Sequence, residues 1–201
     1  MPGSLYCHEH GSMQSKKNTE QRSNRFRMVI AIVVANLIRL LRVIPDNDPI
    51  MSMAMPFSRR SAAITSFLFP FITMASFDIV TNEVGPWTAV TAVTYGCIGL
   101  AFHFALRGRR GMGLIPYLGY GAVGVLAFDG ITGVLMQPLM FGGTFYAALV
   151  GQIPFTAMHL LTSSIFILVV TPLLDREVLL NMRLDDTRIR NFLMGLLQAR
   201  A

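Results

Sequence analysis

The chain has 201 residues, 53% of them hydrophobic and 14% charged, with a formal net charge of +6. A soluble domain carries on the order of 25% charged residues, so this composition points away from one and toward a membrane protein. The basic residues flank apolar stretches, which favours anionic lipid and cytoplasmic loops over nucleic acid as their partner.

Residues 1–24 are polar and read as a disordered tail. Cys7-His8-Glu9-His10 gathers metal-ligating groups, but four adjacent residues do not enforce a coordination geometry, so no metal is assigned. With Cys97 in an apolar span, Cys7 has no evident disulfide role. Arg25 and Arg27 precede the first apolar run, 28–44, which no small-residue cleavage site follows. It is read as a retained first span whose Arg39 and Arg42 snorkel to one interface. Ala31 and Ala35 stand one turn apart on it, a surface another helix can approach closely.

Pro45-Asp-Asn-Asp-Pro49 stops that helix, and 50–57 follows as a Met-rich apolar loop. Arg59 and Arg60 mark an interface. A second span covers 61–80, with Pro70 inside it and Asp78 near its end. Trp87 anchors the third span, 87–106, on which Thr88, Thr91 and Tyr95 make a polar stripe. The basic cluster 107–110 ends it. The fourth span, 116–136, carries Gly119, Gly121 and Gly124, which permit close helix contact. Gly143, Ala147 and Gly151 recur at four-residue intervals on a short fifth segment, 140–151, and the sixth runs over 154–174. At ~1.5 Å per residue, 139–174 is too long for one crossing of a ~30 Å hydrocarbon core, so a break is expected at 151–154. Residues 175–201 mix charges with leucines and read as an amphipathic helix on the membrane surface.

The expectation is an all-α integral membrane protein of the cell membrane, a compact bundle of about six transmembrane helices with a short or broken fifth helix. The membrane domain covers 25–174, and both basic tails are placed in the cytoplasm. The six-span arrangement leaves 107–110 outside. If 28–44 and 144–151 are re-entrant or interfacial instead, about four spans remain and that conflict disappears.

Polar groups inside the spans carry the functional reading, because an ionisable side chain in hydrocarbon costs several kcal/mol and usually faces an interior or an aqueous cavity. Gln152, Thr156, His159 and Ser163 follow i, i+4, i+7, i+11 and share one helical face. Asp129 with Thr132, and Asp78 with Asn82, complete the candidate substrate-binding set. Phe77-Asp-Ile-Val-Thr81 and Phe128-Asp-Gly-Ile-Thr132 echo one another, as internal repeats do in transporter folds. The 45–56 loop would act as a lid. His103 is read as structural. Walker-type, His-Glu-x-x-His and Gly-x-Ser-x-Gly motifs are absent, so neither enzymatic activity nor a cofactor is expected.

Ala31 to Ala35 in the first helix, the proline-bearing loop after it, and Pro86-Trp87-Thr88 opening the third span form a pattern. Over roughly 28–175 it resembles the substrate-binding S component of energy-coupling factor transporters. The resemblance implies a subunit that captures a vitamin or other small micronutrient. It further implies docking, through Ala31 and Ala35, on a transmembrane coupling subunit served by ATPase subunits. The alternative expectation is a ligand-free membrane scaffold whose buried polar residues only specify helix packing.

Overall fold

The computed structural model describes residues 26, 28–41, 48–109, 111–175, 178 and 180. The tail 1–24, Arg42, the 45–47 part of the proline-bearing loop and almost all of 176–201 lie outside the described residues. Within those residues all regular structure is helical: α1 (Met28–Leu40), α2 (Ile50–Arg60), α3 (Ala63–Thr81), α4 (Pro86–Leu106) and α5 (Leu114–Asp129). A π-helical stretch (Gly130–Met136) carries α5 into α6 (Gln137–Phe141), and α7 (Phe145–Leu174) closes the fold. Four rods are long and apolar enough to cross a membrane: α3, α4, the continuous Leu114–Phe141 and α7. α1 is apolar but shorter.

The outside of the bundle is oily. Ile115 is 82% exposed, Leu173 76% and Phe104 69%, whereas Ser66, Thr73, His103, Asp129 and His159 are buried. Such sorting suits lipid, where apolar side chains gain nothing by turning inward and polar groups must find partners inside.

At the centre stands α2. Ile50 to Pro56 and Ser58 are all buried, and the helix packs against α3, α4, α5 and α7. A helix buried on every side is an interior helix, and this one is about 16 Å long, half a hydrocarbon core. The described part of the segment expected as a Met-rich lid is therefore the middle of the core. Asp48 starts it by accepting the Ile50 N–H at 2.9 Å, the short Asp-to-backbone bond that nucleates a turn.

The expected break at 151–154 is not there. α7 runs unbroken for 30 residues, with Pro154 inside it, and merges the predicted fifth and sixth spans. Proline removes one backbone bond, which a membrane helix tolerates, and excess length is absorbed by tilt or by protrusion. The chain turns earlier instead. Gly142 (φ 82°) and Gly143 (φ 108°) take up left-handed conformations, and Thr144 caps α7 by accepting from the Ala147 N–H at 3.2 Å. Gly143 thus lies in the turn, off the small-residue stripe read from its spacing.

Close approach between α3 and α4 depends on Gly99, where a Cβ would stand 2.3 Å from the Ser66 carbonyl oxygen. On α5, Gly121 and Gly124 meet Ile167 and Phe102, while Gly119 has open space beside it.

One end of the bundle is clasped by charge. Asp175, just beyond α7, accepts from Arg59 at 2.5 Å, Arg60 at 2.6 Å and the Tyr117 hydroxyl at 2.6 Å. Arg59 also donates to the Arg109 carbonyl. Ile30 and Ala31 of α1 border a cavity with Arg60 and Leu174, so the start of α1 lies at this same end. The six-span expectation put 107–110 on the face opposite the tails. Here Arg107 to Arg109 share an end with the start of α1 and with Asp175, because α2 does not cross the bundle and 140–174 crosses once. At the opposite end lie the 82–85 and 142–144 turns, where Trp87 and Phe141 rings pack 5.4 Å apart.

Candidate functional site

His159 stands near the middle of α7, about 21 Å from either end at ~1.5 Å per residue. It is 1% exposed, and each ring nitrogen faces a carboxylate. Nδ1 lies 2.9 Å from Asp129 Oδ1, and Nε2 lies 3.3 Å from Asp48 Oδ2. Asp129 closes α5 where the helix widens into the π stretch, and Asp48 precedes α2. Tyr95 of α4 donates its hydroxyl to Asp48 Oδ2, and its ring packs 4.2 Å from that of Phe128. The rings of Phe128 and Phe155 flank the imidazole at 5.9 and 6.1 Å. Side chains or termini of four elements thus converge on one buried unit.

One oxygen of that unit is left over. Asp129 Oδ2 is buried and has no hydrogen-bond partner among the described residues. Asp129 also lines a cavity of about 400 Å³ between α5 and α7, together with Gln152, Thr156 and apolar residues that include Leu126, Val134 and Ile153. A second cavity of about 410 Å³, bordered by Gly133, Gln137 and Thr144, lies on the other side of Gln152. The Gln152 amide passes close over Gly133, where a Cβ would be 2.0 Å from the amide oxygen. A side chain at 133 would make that amide move. An acceptor, an amide and a hydroxyl on an apolar wall make a surface that orients a small molecule with a polar head.

Several expected site residues meet here. Asp129, Gln152 and Thr156 border the cavity, and His159 stands behind Asp129 as its hydrogen-bond partner. Ser163 continues the same face, buried, with its Oγ unpartnered. Thr132 does not join them: its hydroxyl donates back to the Phe128 carbonyl at 2.7 Å. Asp78 and Asn82 belong elsewhere, at the far end of α3. Asn82 adopts the left-handed conformation (φ 58°), its N–H bonds Ile79 O, and the next N–H, of Glu83, bonds Asp78 O. That is a helix C-cap, which explains an asparagine there without a ligand. The repeated Phe-Asp-x-x-Thr pattern therefore serves two roles, a helix end in one copy and mid-rod in the other.

Ala35 corrects the docking expectation, since it is 0% exposed and sits in the chain's own core. Ala31 is half-buried beside a cavity of about 380 Å³. Of the polar stripe on α4 only Tyr95 reaches the site. Thr91 bonds backbone carbonyls of its own helix, and the Thr88 hydroxyl accepts the Gly85 N–H. His103 packs as expected, with Nδ1 3.1 Å from the Ser58 carbonyl.

Asp48 and Tyr95 are the site residues not assigned from sequence. The available signal for Asp48 was an aspartate two residues before an all-apolar run, the signature of a turn feeding a buried helix. For Tyr95 it was its place on the polar stripe of the third span, where a tyrosine hydroxyl must find a partner when buried.

No family model, curated protein or solved structure matches this chain.

Proposed function

We propose that this protein captures a small solute within the membrane, as the substrate-binding subunit of an ATP-driven importer of the energy-coupling factor type. One observation carries the reading: a buried Asp129 carboxylate, fixed on one oxygen by His159 and unpartnered on the other, borders a ligand-sized cavity shared with Gln152 and Thr156. An unsatisfied acceptor in a dry interior costs about 1–3 kcal/mol, a penalty that a ligand donor removes on binding. The Pro86-Trp87-Thr88 opening of α4 and the Ala31-bearing first helix support the resemblance. The cargo is a vitamin or comparable micronutrient. Coupling to separate ATPase subunits would run through a transmembrane partner. With Ala35 enclosed, that partner would meet the outward face of α1, where Val29, Val33, Leu37 and Leu40 are exposed. The positive-inside rule places the face bearing Arg59, Arg60 and 107–110 in the cytoplasm.

A scaffold reading has one observation in its favour: both His159 nitrogens are consumed by carboxylates, as in a group that only ties helices together. Native mass spectrometry of protein released from detergent micelles separates the two. Capture predicts a retained small molecule that Asp129→Asn loses. If no molecule is retained and a vitamin panel leaves the melting temperature unchanged, the scaffold reading replaces it.

A further inference from the structure

We infer that the cavity between α5 and α7 takes an organic monocation with an apolar body, its positive group seated on Asp129 Oδ2. The inference rests on the capture reading and adds the chemical class of the solute.

Proton counting leads there. The contacts Nδ1···Oδ1 of Asp129 and Nε2···Oδ2 of Asp48 each need one bridging proton. Whether both protons sit on the imidazole, or one on a carboxyl, the two aspartates and the histidine together carry one negative charge. Every other acceptor oxygen is used. Asp48 Oδ1 takes the Ile50 N–H, Asp48 Oδ2 the Tyr95 hydroxyl as well as His159, and Asp129 Oδ1 takes His159. Of these oxygens only Asp129 Oδ2 lacks a partner among the described residues, and Asp129 lines the cavity. A net charge at mid-depth in a bundle is costly, so the site favours an occupant bringing one positive charge to that oxygen.

Arg39 does not supply it. Its guanidinium lies over the Phe77 ring at 4.1 Å, on the α1–α3 side, where its field reaches Asp48. The groups facing the triad are therefore Tyr95 from α4, Arg39 from α1 beside Asp48, and the uncharged Gln152 and Thr156 from α7.

The lining argues against a bare metal ion. Hard cations take six or more oxygens, and the side chains here offer those of Asp129, Gln152 and Thr156 among aliphatic walls. An ammonium or amidinium with a hydrocarbon flank matches both parts.

The test uses the full chain in phosphatidylcholine nanodiscs, which carry no anionic lipid to attract amines. The probes are 3-phenylpropylamine and its neutral counterpart, 3-phenylpropanol. Melting temperature is followed against probe concentration, and the molecule retained on purification is identified by native mass spectrometry. The amine should raise the melting temperature saturably and the alcohol should not. Asp129→Asn should weaken the amine at least tenfold. An alkylamine carries its charge at neutral pH, so the amine and the alcohol differ there in the positive group. The comparison of amine with alcohol in wild type stands even if Asp129→Asn fails to fold. Equal effects of amine and alcohol, or a neutral or anionic retained molecule, overturn the cation inference and leave capture intact. No retained molecule and no response to either probe overturns both.

Discussion

Arg59 donates to the Arg109 carbonyl from Nη2 at 2.6 Å and from Nε at 3.0 Å. The third guanidinium nitrogen, Nη1, holds Asp175 at 2.5 Å. The loop after α4 and the chain leaving α7 are thereby fixed to the end of α2. Four helices are long and apolar enough to cross, and Arg59, Arg60, Arg107 and Arg109 lie at one end of them. In a background lacking Cys7 and Cys97, Val84→Cys and Tyr146→Cys should react with an impermeant maleimide from outside the cell. Arg107→Cys and Leu180→Cys should react only after permeabilisation. Labelling of Arg107→Cys from outside would restore the six-span arrangement.

The clasp itself is measurable. Asp175 is fully buried against Arg59, whose side chain is 6% exposed, and Arg60, whose side chain is 49% exposed. Removing one partner of a buried pair costs about 3–5 kcal/mol because the other charge is stranded, whereas a half-exposed pair contributes about 1 kcal/mol or less. Asp175→Asn and Arg59→Ala should therefore both lower unfolding stability strongly, and Arg60→Ala only slightly. Burial alone would push the Asp175 carboxyl up, but the Tyr117 hydroxyl and the two arginines outweigh it and hold it below the ordinary 3.8. A depressed carboxyl stabilises the fold above its unfolded value and loses that contribution as pH falls through the folded one. The Asp175→Asn deficit should then be constant from pH 5 to 8 and shrink only below about pH 4. A deficit that varies between pH 6 and 8 would assign the effect to another group.

Packing between α3 and α4 makes a third prediction. A side chain at Gly99 meets the Ser66 backbone oxygen, which cannot rotate away, so Gly99→Val should force the helices apart and cost about 1–3 kcal/mol. Gly119 has nothing within 4 Å of a built Cβ, and Gly119→Ala should lose no stability. Equal losses at the two positions would mean that backbone freedom, and not contact, sets the glycine requirement.

Hydropathy made the rods legible. The predicted 61–80 and 87–106 are Ala63–Thr81 and Pro86–Leu106, and 116–136 lies within Leu114–Phe141. The face of Gln152, Thr156, His159 and Ser163 was also legible, because 3.6-residue spacing aligns side chains whatever they touch. What spacing cannot supply is the partner across the bundle. Asp48 meets His159 from 111 positions away in the chain, and its proline-flanked setting imitates an exposed turn. α2 escaped because Pro49 precedes it and Pro56 lies inside it, residues that read as loop punctuation. The false break at 151–154 came from treating core thickness as a limit on helix length, which tilt relaxes.

The last prediction asks whether His159 and Asp129 act as one unit. His159→Leu leaves two buried carboxylates facing an apolar side chain, with the protons that joined them gone. Stranding a charge in this way costs about 3–5 kcal/mol. Asp129→Leu alone removes one acceptor from an imidazole still held by Asp48, and should cost less. If the two residues were independent, their losses would add. As a hydrogen-bonded pair they should not, and the double variant should be more stable than the sum predicts by at least ~1 kcal/mol, since an apolar pair of similar volume needs no partner. Reversible unfolding of wild type, both single variants and the double variant closes the cycle. A coupling near zero would dissolve the pair. Strong coupling in a double variant that folds but retains no small molecule would show that the unit is dispensable for the bundle and required by the cavity it borders.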